Sequence, residues 1–431
     1  MPTLARGLYS ILISLAQPLL RRKLRRRAVL EPGYGMAVEE RFGRYPAHEA
    51  SETSKTGWVW IHAVSLGETR AAAILLTALR QQWPGMRLLL THSTATGRAE
   101  GQKMLRAGDR QVWLPWDSLG AVRRFLQHFR PAIGILMETE VWPNLIAACH
   151  QRGTPLVLAN ARLNEKSYKQ ALRLGWLAKP AYAALTAVYA QTEHDAQRLR
   201  ALGAPVQGVF GNLKFDAVPD AQQIAQGRLW RSASAKPVLL LASSREGEEA
   251  LWLQAVKEQI ELHRLSHTMQ WLIVPRHPQR FDTVATLLEQ AGLQVSRRSQ
   301  WTDSPTPAEV WLGDSMGEMA LYYSLATVAL LGGSFAPLGG QNLIEAAACS
   351  CPVIQGPHTF NFAEAAALTL ECGVARLAQD MPQAIALATA WVQDPSALAQ
   401  AQTAAATLGQ AHQGAAQATA AAVASLLLAI A

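Results

Sequence analysis

Several short stretches of this chain hold side chains that could do chemistry. Ser65-Leu66-Gly67-Glu68 directly follows the alternating run Trp58–Val64, β-branched at Val59, Ile61 and Val64. Glu68 therefore falls in the first turn of a helix, at the carboxyl end of a strand. A carboxylate so placed can take a proton from an attacking hydroxyl. It can equally be a cap, because Ser65 and Glu68 have the S-x-x-E spacing of a capping box. Glu138-Thr139-Glu140 follows the apolar run Ile133–Met137. Two acids at one strand end are costly unless solvated or paired. They could position an acceptor or stabilise charge, or form a salt bridge to Arg162 or another basic residue. Ser93, Thr94 and Thr96 could hydrogen-bond a sugar or phosphate. Lys214, in Gly211-Asn212-Leu213-Lys214-Phe215-Asp216, reads by itself as a surface lysine beside a domain join.

The second half of the chain is suited to anions. Arg276, in Pro275-Arg276-His277-Pro278, offers the forked donors that phosphate takes and lysine lacks, or else a salt bridge. Ser243 to Glu248 and Asp314 to Glu318 each leave an apolar strand and open a helix. Asp314 or Ser315 can cap the latter, and Gly317 keeps the backbone open. The loop 332–342, GGSFAPLGGQN, runs into a helix at Asn342, Leu343, Ile344 and Glu345. Helix starts present free N–H groups to an anion. Two of them at one crevice suit a phosphate-and-sugar ligand, although ordinary α/β loops carry the same glycines.

The elements that must hold these residues alternate. Strands are predicted over Trp58–Val64, Arg87–Thr91, Val112–Leu114, Ile133–Met137, Pro155–Ala159, Ala187–Ala190 and Val206–Phe210, then over Pro237–Ala242, Trp271–Val274, Val310–Leu312 and Val328–Leu331, with a further one after the helix at 342–345. Helical segments separate them, and Pro143 suits a first helical turn. Such alternation predicts doubly wound parallel sheets, with ligands at the strands' carboxyl ends. A chain of 431 residues is long for one core, so two domains are expected. The boundaries read as 1–30 for an apolar and basic segment, 31–216 for the first domain and 217–235 for a polar linker. The second domain follows over 236–400, and an Ala-rich helix over 401–431 returns to the first domain.

Apolar residues make up 49% of the chain and charged residues 17%, a globular composition. Four cysteines without metal or disulfide spacing fit a reducing compartment. No His/Asp metal cluster appears, so neither metal nor other cofactor is predicted. The net charge of +8 points to an anionic partner. Part of that charge is local: Arg21, Arg22, Lys23, Arg25, Arg26 and Arg27 follow the apolar run Gly7–Leu20. The run is broken by Pro18 and short for a span, so it reads as a short anchor, an interfacial helix or an ordinary amphipathic helix. Cations beside an apolar segment favour an anionic membrane surface, and the positive-inside rule puts them in the cytoplasm. Few aromatics interleave the charges, which argues against nucleic acid.

A resemblance joins these stretches. ERFG, HAVSLGE, METEVWPN, NARLNEKS, GNLKFD, PRHPQRF, SMGEM, GGSFAPLGGQNLIEA and GPHTFNF, in this order between about Glu31 and Glu371, resemble segments of the Kdo transferases. These GT-B enzymes move 3-deoxy-D-manno-octulosonic acid (Kdo) from CMP-Kdo to the lipid A precursor. Gln341 stands where some relatives have histidine. The resemblance implies an α/β fold of GT-B type, with two Rossmann-like domains facing a central cleft. It implies that Glu68 is the general base and that Glu138 and Lys214 stabilise the transition state. Pro275, Arg276, Met316, Gly317, Glu318, Asn342, Leu343, Ile344 and Glu345 would bind CMP, Glu345 through the ribose. The expected partners are CMP-Kdo, the lipid A precursor lipid IVA and anionic inner-membrane lipid, at the cytoplasmic side of the inner membrane. Two rivals are a nucleotide-sugar epimerase of the same fold and a non-catalytic membrane-surface lipid-binding protein.

Overall fold

The computed structural model describes residues 4–46, 57–216, 219–261, 269–411 and 414–428. The chain divides into two compact units, one holding the described residues up to Asp216 together with 414–428, the other 219–411.

The first unit opens with helices α1 (Leu4–Leu15) and α2 (Gln17–Leu30). It continues through β1 (Trp58–His62), α3 (Leu66–Gln82), β2 (Leu88–His92), α4 (Ala95–Gln102), β3 (Arg110–Trp113) and α5 (Leu119–Phe129). Next come β4 (Pro131–Met137), α6 (Pro143–Arg152), β5 (Leu156–Ala161), α7 (Glu165–Arg173), α8 (Gly175–Ala183), β6 (Ala187–Ala190), α9 (Glu193–Ala201) and β7 (Val206–Val209). The strands form one sheet in the order 3-2-1-4-5-6-7, with every pairing parallel. Its central strands are buried on both faces, as parallel sheets require, while the edge strand β7 is not. Side chains alternate between the faces. Trp60 packs with Phe125 and Ile146 on one side, while Val59 and Ile61 meet Leu75 and Leu79 of α3 on the other.

The second unit runs α10 (Ala221–Ala233), β8 (Val238–Ser244), α11 (Glu248–Glu261), β9 (Gln270–Pro275), α12 (Phe281–Gln290), β10 (Val295–Arg297), β11 (Val310–Leu312) and α13 (Met319–Leu325). It ends with β12 (Val328–Leu331), α14 (Leu343–Ala348), β13 (Val353–Gln355), α15 (Ala363–Glu371), β14 (Ala375–Leu377), α16 (Met381–Gln393) and α17 (Pro395–Ala411). Its sheet is also parallel, ordered 10-11-9-8-12-13-14.

The polar stretch read as a linker holds a helix. Asp220 caps α10 by accepting the N–H groups of Gln222 and Gln223. Gly227 rests on α13 so closely that a Cβ there would meet Leu321 O at 2.4 Å. The Ala-rich tail is two helices in different units. α17 belongs to the second, and α18 (Ala415–Leu428) packs Ala416, Ala420 and Val423 beside α3 in the first. Asp216 accepts the N–H groups of Gly414 and Ala416 at the start of α18.

No helix among the described residues is long and apolar enough to cross a membrane. On α1 and α2 the side chains of Leu8, Ile11, Leu12, Leu15 and Leu19 are exposed. The opposite side of α1 is tied down. Ser10 Oγ donates to Asn144 Oδ1 at 2.9 Å, and Tyr9 hydrogen-bonds the buried Asp117. Asp117 also accepts the Asn144 and Leu145 N–H groups that open α6. Burial pushes its carboxyl up to about 7.

Candidate active site

The strand order reverses between β1 and β4 in the first sheet and between β8 and β12 in the second. The crevice beyond the carboxyl ends at such a point is where open parallel sheets take ligands. The residues singled out above gather at these two edges.

At the first edge, β1 ends at His62 and the chain turns through Ala63 and Val64 into α3. Ser65 has an extended backbone, and its Oγ accepts the Glu68 N–H at 3.3 Å. The Glu68 carboxylate reaches back. Oε2 accepts the Val64 N–H at 2.8 Å, and Oε1 accepts the Ser65 hydroxyl at 3.0 Å. This is a variant of the capping box in which the glutamate takes the N–H of Val64, one residue before the cap, rather than that of Ser65. The box does not use up the group, because it also holds a half-buried carboxylate at the strand end. Burial pushes the Glu68 carboxyl above its ordinary value, and the like charges of Glu138 and Glu140 add to this. The Val64 N–H and the Ser65 hydroxyl oppose the rise. A helix start alone would lower the value; here desolvation and like charge outweigh it, which makes Glu68 a stronger base.

Glu138 follows β4 with a left-handed backbone, φ +56°, a conformation that costs a non-glycine residue about 1–3 kcal/mol. Its side chain is 3% exposed. Arg162 Nε donates to Oε2 at 2.8 Å, and Lys214 Nζ lies 3.1 Å from Oε1. The structure thus joins Glu138 and Lys214, far apart in sequence, and adds the Arg162 salt bridge. Lys214 is not a free surface lysine, since its ammonium sits on a buried carboxylate. Asn160, also left-handed at φ +52° and 1% exposed, accepts the Leu213 N–H at 3.0 Å and so sets the turn that presents Lys214. Thr94 serves as the cap of α4 and donates to Val64 O at 2.6 Å. ERFG is a tie rather than a ligand site. Arg41 is buried with its guanidinium 3.8 Å from the centre of the Trp113 ring, and burial pulls it down to about 10.

At the second edge, Pro275 closes β9 and is buried, and the Arg276 N–H donates to Ser244 O at 3.0 Å. The half-buried Arg276 guanidinium has no hydrogen-bond or ion-pair partner among the described residues. The turn behind it is pinned. Glu249, 1% exposed, pairs with Arg280 at 2.7 Å and accepts from Ser244 Oγ at 2.6 Å. Met316 is exposed, and Gly317 has φ +80°, which favours glycine. The Gly317 carbonyl accepts from Gln223 Nε2 at 2.9 Å, and Glu318 is held by Arg298 at 2.9 Å. Asn342 caps α14 through the Ile344 N–H, with Glu345 half-buried on the first turn. The Leu343 and Ile344 side chains are in the core, so any contact they offer a ligand is through their backbone.

Two expectations at this edge are corrected. Neither Asp314 nor Ser315 caps α13. Arg297 at the end of β10 and Ser299 just beyond it hold Asp314, and Ser315 Oγ donates to Glu318. The 243–248 loop does not offer its neighbourhood to an outside anion. Glu248, fully buried, fills it, accepting from Arg245, Gly333, Phe335 and Ala336 N–H.

Comparison with known proteins decides the family. Residues 36–217 match the sequence family described as 3-Deoxy-D-manno-octulosonic-acid transferase (kdotransferase). The chain is 44% identical over 425 residues to the 3-deoxy-D-manno-octulosonic acid transferase of Bordetella pertussis, covering 96% of this chain and 98% of that one. It belongs to the Kdo transferases. The Haemophilus influenzae Kdo transferase is 33% identical, over 83% of this chain and 84% of that one. Acinetobacter baumannii MurG, 13% identical with a TM-score of 0.56 over 86% of this chain and 99% of that one, shares the fold. Within this Kdo transferase, His62 and Asn160 escaped the reading from sequence. Their only signals were a histidine inside an otherwise apolar strand and an asparagine, the residue most tolerant of left-handed backbone after glycine.

Proposed function

We propose that this Kdo transferase moves Kdo from CMP-Kdo to a sugar hydroxyl of the lipid A precursor, with Glu68 as general base. The hydroxyl oxygen attacks the anomeric carbon of Kdo while Glu68 takes its proton. The bond from that carbon to the CMP phosphate oxygen breaks, and CMP leaves with the electron pair. Arg276 meets the departing phosphate with charge-assisted hydrogen bonds. Met316, Gly317, Glu318 and Asn342 to Glu345 surround the nucleotide. Glu138 and Lys214, with Arg162, form a fixed charge cluster that stabilises the transition state. The observation that carries this reading is the Glu68 carboxylate, tethered at the strand-order reversal and pushed up by burial and two neighbouring acids.

The acceptor is placed on the first unit and CMP-Kdo on the second. The enzyme works at the cytoplasmic side of the inner membrane, lying on anionic lipid through α1 and α2. In support, α1 exposes Leu8, Ile11, Leu12 and Leu15, and α2 carries an open depression of about 370 Å³ lined by Leu19, Arg22, Lys23, Arg26, Arg27 and Leu30. Purified protein given CMP-Kdo and lipid A precursor, with products read by mass spectrometry, tests the proposal. Added Kdo mass on the lipid is expected. CMP-Kdo left intact beside unmodified acceptor would overturn it.

A further inference from the structure

His62 is fully buried at the end of β1, six residues before Glu68. A histidine cut off from water has to place both ring nitrogens within the protein. Its Nδ1 lies 2.9 Å from Thr91 Oγ1 and 3.1 Å from Thr91 O. Thr91 Oγ1 already accepts the Trp60 indole N–H at 2.8 Å. The Thr91 hydroxyl proton has two destinations, His62 Nδ1 at 2.9 Å and Ile61 O at 3.4 Å, and the first is better placed. Thr91 O can only accept and already takes the Ala63 N–H at 3.1 Å, so Nδ1 is left to accept the hydroxyl, and a ring with one hydrogen carries it on Nε2. Nε2 has no hydrogen-bond partner, and it faces Glu140 Oε2 across 3.7 Å. That oxygen accepts the Trp142 indole N–H at 2.7 Å. A directed series results, from Trp60 through Thr91 and His62 to Glu140, with Trp142 donating from the other side. The 3.7 Å step is long for a hydrogen bond, as active-site contacts often are before substrate binds.

We propose that His62 is a positioning residue for the transfer step, its Nε2–H fixing the Glu140 carboxylate at the edge where Glu68 works. The proposal rests on Glu68 as base. The acids facing Glu68 are Glu138 and Glu140, both beyond β4. Glu138 is already balanced by Arg162 and Lys214. Glu140 is therefore the like charge whose position His62 can set. The neighbouring His92 is held down to about 3 by burial and by His62, so it carries no charge in the working range.

The test compares His62→Gln, His62→Asn and Glu140→Gln, assayed for kcat against pH at saturating CMP-Kdo and acceptor. A glutamine amide nitrogen can reach the place of Nε2, whereas asparagine reaches only that of Nδ1. His62→Gln should keep the acid limb of the profile and a kcat within about threefold. His62→Asn and Glu140→Gln should both move the limb to lower pH and reduce kcat, by on the order of tenfold. KM for CMP-Kdo should stay unchanged. The double variant should shift the limb no further than either single one, because both act through one contact. An acid limb that stays in place in Glu140→Gln would overturn the proposal even if His62→Asn fails to fold. So would a His62→Asn enzyme whose kcat falls only with its folded fraction. Failure of the underlying reading looks different, since Glu68→Gln itself would then keep the limb and the rate.

Discussion

Replacing Glu68 by glutamine removes a base and leaves a cap. The glutamine amide oxygen can still accept the Val64 N–H that Glu68 now takes at 2.8 Å. Its amide nitrogen would face Ser65 Oγ, which can turn from donor to acceptor. Ser65 itself stays to hold the N–H of residue 68. The helix start should therefore lose no more than about 1 kcal/mol, and removing one of three neighbouring acids works the other way. CMP affinity should be unchanged, because the nucleotide contacts are placed on the second sheet. Transfer is another matter. A positioned base contributes about 10² to 10⁴ in rate, or about 2.7–5.4 kcal/mol of barrier. The assay is kcat at saturating CMP-Kdo and acceptor, with calorimetric CMP titration and a melting curve as controls. A folded, CMP-binding variant with kcat within a few-fold of wild type would refute the reasoning and leave Glu68 as a cap. The pH profile is an independent check. A base works only when ionised, so wild-type kcat should fall as pH drops through the Glu68 pKa. That pKa is raised, so the fall should come at higher pH than for an ordinary glutamate near 4.3.

Arg276→Ala should weaken CMP and CMP-Kdo alike by about 1.5–3 kcal/mol, the contribution of a hydrogen bond to a charged group; calorimetry showing wild-type affinity would displace Arg276 from the phosphate. Lys214→Met leaves Glu138 with Arg162 alone and should lower kcat with little change in the KM for CMP-Kdo, whereas Lys214→Arg should recover part of the loss. Leu12→Glu with Leu15→Glu should reduce sedimentation with anionic vesicles while turnover of detergent-dispersed acceptor persists. Those two substitutions are a cleaner probe than deleting residues 1–27, which would also strip Tyr9 and Ser10 from Asp117 and Asn144. Asp117 has a folded value of about 7 against about 3.9 unfolded. Between these the native state holds the extra proton, so its contribution to stability should decline as pH rises from about 4 to 7. Asp117→Asn should flatten that part of the melting-temperature profile.

The central strands of both sheets were legible because parallel strands buried on two faces are nearly continuous apolar runs, such as Leu88 to Leu90 or Val328 to Leu331. β10 and β14 were not. Each has three residues, and the Ser296 and Arg376 at their centres interrupt the apolar signal. α10 was hidden by its Gln-rich surface, since only Gly227 and Trp230 on it are buried. Asp314 looked like a cap because its partners, Arg297 and Ser299, come from the end of β10 and the turn after it, which nothing local reveals. Glu68 could be placed on a helix start from spacing alone, but its chemistry came from the resemblance. The contact of Glu138 with Lys214 needed the fold, because every element from α6 to β7 lies between them in the chain.

The fold also sets an order of events. The chain leaves the first unit after Asp216 and returns to it at Gly414, where the Asp216 carboxylate takes the Gly414 N–H. Topologically the second unit is a single insertion in the first, and the domain made first on the ribosome is the one completed last. Until Ala416, Ala420 and Val423 emerge, the apolar side of α3 and its sheet lacks its covering helix. The inserted unit, by contrast, has its whole sheet in one unbroken segment and can fold as soon as that segment is out. Loss of α18, far in sequence from Glu68, should therefore expose the domain that carries it and leave the nucleotide-binding unit intact.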